Sequence, residues 1–123
     1  MLKVAVLKET AEDEHRVSLV PESIKRLAKQ DVEVLVQRGA YAHTGFTDAQ
    51  YNAAGATIIS DYNQLIQDGD IFLKAQCVCL QDGMMQIVDP FKENSVIIGF
   101  FNPFKNIHNV EELATRNMTT FSM

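Results

Sequence analysis

Lys8-Glu9 and Glu14-His15-Arg16-Val17 stand just past a short apolar run, residues 4–7, that reads as a buried strand. Open α/β sheets place ligand chemistry at the carboxyl ends of their strands. Arg16 offers a planar fork able to grip a carboxylate or phosphate bidentately, and Glu14 can neutralise or orient it. On residue types alone a second reading stands beside this one, in which Lys8, Glu9, Glu14 and Arg16 form a solvated loop whose surface ion pairs contribute little. Lys74 ends the apolar run Ile71-Phe72-Leu73. It is either a cation at the rim of the same cleft or a strand-end lysine whose stem covers apolar surface. Gly99-Phe100-Phe101-Asn102-Pro103 follows another apolar run. Asn102 there either offers a hydrogen bond to a ligand or simply turns the chain ahead of a proline. Two cations converging on one cleft would select an anion.

The elements that must position these residues alternate between short apolar runs and amphipathic stretches, the pattern of a parallel sheet flanked by helices. Strands are expected at residues 4–7, 32–36, 57–59, 71–74, 96–100 and 119–121. Several are nearly all apolar, as befits strands covered on both faces. The spacing predicts an open, mostly parallel three-layer α/β sheet of the flavodoxin or Rossmann kind with helices on both faces, one domain over residues 1–123. A helix starting at Pro21 places Ile24, Leu27 and Ala28 on one face. Thr47 and Gln50 have the spacing of a capping box, with Phe46 able to staple onto Tyr51. Ser60 and Asn109 read as further caps, the latter with Glu112 three residues on. Gly39, Gly45, Gly55 and Gly69 fall at element boundaries, where positive φ is often needed.

At 123 residues, 46% hydrophobic and 22% charged, the chain has the composition of one ordinary globular domain. No apolar run is long enough to span a bilayer, and Met1-Leu2-Lys3 leads straight into a strand without a signal peptide, which predicts a cytosolic location. The net charge of −5, with eleven scattered Lys and Arg, argues against a nucleic-acid partner. Cys77 and Cys79 would share one face of a strand, where a disulfide would be strained, so they read as reduced thiols. His15, His43 and His108 are isolated from one another, and no metal site is expected. The chain contains no G-x-G-x-x-G turn, P-loop or nucleophile elbow.

Lys8-Glu9, Glu14-His15-Arg16-Val17, Pro21, Arg38-Gly39-Ala40, Gly45-Phe46-Thr47-Asp48, Tyr51, Ala54-Gly55-Ala56 and Leu73-Lys74 together resemble, in order and spacing, the amino-terminal domain shared by alanine dehydrogenase and the α subunit of NAD(P) transhydrogenase. The resemblance runs nearly end to end. It implies that Arg16 and Lys74 match the arginine and lysine which, in the dehydrogenases, hold the substrate carboxylate and keto oxygen. Asn102 falls where those enzymes keep a proton-transferring histidine, and an amide is no acid or base near neutral pH. Transhydrogenase α subunits also lack that histidine and often carry a proline just after, as Pro103 stands here, so the resemblance is closer to them.

In that family a dinucleotide-binding domain with a glycine-rich turn follows this segment, so the chain reads as a fragment that is inactive alone. For the complete protein the resemblance implies NAD as cofactor and hydride transfer between NAD(H) and NADP(H) coupled to proton translocation. It also implies a homodimer, membrane and NADP-binding partner subunits, and a cytoplasmic position at the inner face of the inner membrane. Two hypotheses of different class remain: one wall of an NAD(H) cleft, with Arg16, Lys74 and Asn102 facing the anion and Lys8, Glu9 and Glu14 in support, or a non-catalytic remnant that keeps only the fold. A dehydrogenase-like substrate domain is the alternative within the first.

Overall fold

Six strands pair into one sheet in the computed structural model, which describes residues 1–9, 15–41, 44–76, 91–100, 111, 114–115 and 117–123. The strands are β1 (Leu2–Val6), β2 (Val32–Gln37), β3 (Thr57–Ile59), β4 (Ile71–Gln76), β5 (Val96–Phe100) and β6 (Thr119–Ser122). Every pairing is parallel and the spatial order is β3-β2-β1-β4-β5-β6. The chain winds outward from β1 to β2 and β3, then returns to lay β4 along the other side of β1. That reversal opens a crevice beyond the carboxyl ends of β1 and β4, where sheets of this order bind ligands.

Successive strand residues point to opposite faces, and in the central strands both faces are buried. Ala5, Leu7, Leu35, Phe72 and Ile97 pack on one side with Leu65 and Ile66 of helix α3 (Tyr62–Asp68). Val6, Val34 and Val36 pack on the other with Ile24 of α1 (Pro21–Leu27) and Tyr51 of α2 (Asp48–Ala53). The alternation of β1 and β2 between the two cores explains why neither strand carries a polar residue in the three positions that end at Val6 and Val36.

Helix ends show where local chemistry decides and where it yields. Pro21 occupies the first turn of α1, and Ile24 is fully buried. Ala28, expected on the same face as Ile24, is instead exposed, because the chain tightens into a 3-10 turn over Ala28–Gln30 and leaves through Asp31 at φ 57°. At α2 the capping box forms as expected: the Gln50 N–H donates to the Thr47 hydroxyl at 3.3 Å, and the Thr47 N–H to the Gln50 side chain at 2.8 Å. Phe46 meets Tyr51 edge-on at 6.1 Å between centroids.

At α3 the cap is Asp61 rather than Ser60: its carboxylate accepts from the Asn63 N–H at 2.9 Å and faces the positive end of the helix. Gly39, Gly45 and Gly55 take positive φ, but Gly69 does not; it is extended at φ −71°, ψ 148°. Its reason is packing, since a Cβ there would lie 2.7 Å from Phe72 Cε1 and 3.0 Å from Ala5 Cβ. The Asn109 cap and the two cysteines lie outside the described residues.

Candidate functional site at the β1–β4 crevice

The loop leaving β1 is tied to both neighbouring strands by side chains that take over where the backbone ladder stops. On one side the Lys8 N–H donates to Gln37 Oε1 at the end of β2, at 2.8 Å. On the other, the Leu7 N–H donates to the Leu73 carbonyl at 3.1 Å, and two residues further along β4 the Ala75 N–H donates to Glu9 Oε2 at 2.9 Å. Pairing with β5 shifts register at this same point: Lys74 opposes Gly99, Gln76 opposes Phe100, and Ala75 is the extra residue between them. A bulge of this kind re-aims the side chains around it.

Glu9 and Lys74 are 7% and 4% exposed, two of only three polar or charged residues buried among those described. Buried charge is costly unless well partnered, so its presence beside the switch point is informative.

Residues 16–18, the last residues of β4 and the end of β5 enclose a cleft of about 210 Å³. Arg16 and Lys74 both line it, with Ser18, Phe100 and Met123. The Arg16 guanidinium carbon lies 5.5 Å from the Phe100 ring centroid, a cation–π contact that steadies the fork. Tyr51 anchors the same segment from outside: its hydroxyl donates to the Leu19 carbonyl at 2.8 Å, and burial pushes its pKa up to about 12. Among the described residues the buried Ser18 hydroxyl has no hydrogen-bond partner.

The structure thus brings Arg16 and Lys74 to one cleft and bonds Glu9 to Ala75, the chain neighbour of Lys74. Lys8 sits apart, exposed, its Nζ beside Gly39 on the β2 side. Glu14 and Asn102 lie outside the described residues. Gln37 and Phe100 escaped the sequence reading as contributors; only a polar residue closing the apolar run Val34-Leu35-Val36 and an aromatic closing β5 hinted at them. Among the described residues no three or more His, Cys, Asp or Glu groups gather as a metal site.

An all-parallel β3-β2-β1-β4-β5-β6 sheet defines the Rossmann-like α/β class, here with a cleft at the carboxyl edge that Arg16 and Lys74 line. Residues 5–123 match the family described as alanine dehydrogenase/PNT, N-terminal domain, and the chain belongs to that family.

The first component of the NAD(P) transhydrogenase alpha subunit of Rickettsia prowazekii is 31% identical over 122 residues, 99% of this chain and 32% of that protein. An alanine dehydrogenase of Mycobacterium tuberculosis is 35% identical over 75 residues, 61% of this chain and 20% of its own length. Among solved structures, a transhydrogenase from Sinorhizobium meliloti superposes with TM-score 0.86 at 26% identity, over 98% of this chain and 34% of that one. The chain spans about a third of the length of the transhydrogenase relatives it matches.

Proposed function

We propose that this chain is the amino-terminal domain of the NAD(H)-binding component of a proton-translocating NAD(P) transhydrogenase. The observation that carries the reading is the pair Arg16 and Lys74 lining one cleft at the switch point, in a chain that corresponds over 99% of its length to a transhydrogenase alpha-subunit component. Two cations lining one small, largely apolar cleft suit a small anionic group.

NAD itself needs more than this chain provides: a dinucleotide's pyrophosphate is normally cradled at a glycine-rich turn and helix N-terminus, and no such turn occurs here. In the whole protein the nicotinamide cofactor supplies the hydride. This domain supplies one wall of the site, with Asn102 placed by sequence where it offers an amide and no titrating group. Homodimerisation and a peripheral position on membrane subunits belong to the same proposal; among the described residues no helix is long and apolar enough to cross a bilayer itself.

The retained Arg16 and Lys74 also favour a second reading, an alanine dehydrogenase-like substrate domain. The whole protein, assayed with the NADP-binding and membrane subunits for hydride exchange between NADH and an NADP analogue, and separately for alanine-dependent NADH formation, decides between them. Exchange without alanine oxidation is expected; robust alanine oxidation overturns the first reading. The isolated chain, titrated calorimetrically with NADH, is expected to show no saturable micromolar binding.

A further inference from the structure

We propose that Glu9 is the positioning residue of the cleft: its buried carboxylate serves as the next rung of the β1–β4 ladder, holds the Ala75 bulge in place, and thereby aims Lys74 into the cleft beside Arg16. The inference deepens the anion-cleft reading and rests on it only for the identity of what is positioned.

Along the backbone, β1 bonds regularly to β4 up to the Leu7 N–H on the Leu73 carbonyl. One rung later the chain of β1 has already turned into the charged loop, and the Ala75 N–H is met by a side chain, Glu9 Oε2, 66 residues away in sequence. Ala75 is also the residue skipped in the pairing between β4 and β5. An amide buried at a bulge needs an acceptor, or the bulge bears the cost of an unpaired donor.

A neutral acceptor would do for packing alone. The carboxylate of Glu9, a residue only 7% exposed, adds a charge-assisted bond and ties the segment that leads from β1 toward Arg16 to the end of β4, where Ala75 adjoins Lys74. On the β2 side Gln37 does the equivalent work for the Lys8 N–H with a neutral amide. At this edge of the sheet, among the described residues, the charged version stands on the side facing the cleft.

The test is heteronuclear NMR on the whole 123-residue chain, comparing wild type with Glu9→Ala and Glu9→Gln, with acetate as the anion probe. In wild type the Ala75 amide is expected to exchange as slowly as the ladder amides of β4. Glu9→Ala should speed that exchange roughly tenfold to hundredfold and move the Lys74 Cε–Hε signal, while Glu9→Gln, which keeps an acceptor oxygen, restores most of both.

Should Glu9→Ala not fold, the wild-type exchange and the glutamine variant still decide. Rapid Ala75 exchange in wild type overturns the proposal, as does a Lys74 signal that ignores the loss of the side chain, or alanine and glutamine variants that behave alike. Acetate titration is a separate arm: wild type that ignores acetate sinks the anion cleft and leaves the Ala75 and Lys74 measurements to judge Glu9 alone.

Discussion

The two ends of the same pair of central strands treat charge in opposite ways. At the amino edge Asp70 exchanges bonds with the start of β1: its carboxylate accepts the Lys3 N–H at 2.9 Å, and its own N–H donates to the Lys3 carbonyl at 2.9 Å. Around it the ion pairs are wet. Lys3 meets Glu33 at 3.9 Å with both side chains 37% exposed, and Lys92 meets Asp70 at 4.0 Å with both 46% exposed. At the carboxyl edge Glu9 and Lys74 are nearly sealed. Exposed pairs sit in a high dielectric and are screened by salt, whereas a buried charge carries a desolvation cost that packing alone never rewards. The lesson is that charge count does not mark the site in this sheet; burial of charge does.

The contrast can be broken hardest at Lys74. Lys74→Met keeps the stem and removes the ammonium, and acetate affinity is expected to fall by roughly tenfold to hundredfold, the worth of a charge-assisted hydrogen bond. Titration followed by the Arg16 side-chain signals measures it, and unchanged affinity would remove Lys74 from the cleft's chemistry.

Next comes the packed amino edge, where Gly69→Ala drives a methyl into the Phe72 ring and Ala5. Overpacking of that kind costs about 1–3 kcal/mol, read as a lower midpoint in urea unfolding at unchanged slope.

Tyr51→Phe probes the support behind Arg16. Loss of the bond to Leu19 costs about 0.5–1.5 kcal/mol near neutral pH. The folded chain holds the Tyr51 phenol neutral, with its pKa raised from 10.0 to about 12, so this stabilisation is complete below pH 10 and lost as pH climbs through 12. The phenylalanine variant should therefore lose less stability than wild type between those two values.

The smallest effect belongs to the wet pair. Glu33→Gln should change stability by no more than about 0.2–1 kcal/mol, vanishing in molar salt. A cost above that, insensitive to salt, would erase the distinction between the two edges.

Most of the framework is legible in the residue pattern. All six strands occur where they are expected; the central ones are marked by apolar runs, because strands buried on both faces must be apolar, whereas β6, Thr-Thr-Phe-Ser, is exposed along its length. β1 nonetheless begins two residues earlier than its apolar run, at Leu2, since pairing with Val32 recruits exposed residues that hydrophobicity does not flag. The capping box at Thr47 is readable because its partners lie three residues apart. The mistaken cap at Ser60 shows the limit of the same logic: adjacent Ser60 and Asp61 both qualify by type, and only the backbone geometry selects Asp61. Gly69 likewise qualifies as a turn glycine by position, while its cause, the ring of Phe72, comes from packing across the sheet.

The sequence by itself determined the strands, the parallel α/β class, the family pattern and the candidacy of Arg16 and Lys74, all properties carried by periodicity or by motifs of fixed local spacing. Whether those two cations meet was beyond it, because they are 58 positions apart and converge only through the strand order that seats β4 beside β1. So was the part of Glu9: in the chain it is one more charged residue in a charged loop. Only the fold, by ending β1 one rung short of Ala75 and sealing the gap from water, turns its carboxylate into a buried hydrogen-bond acceptor.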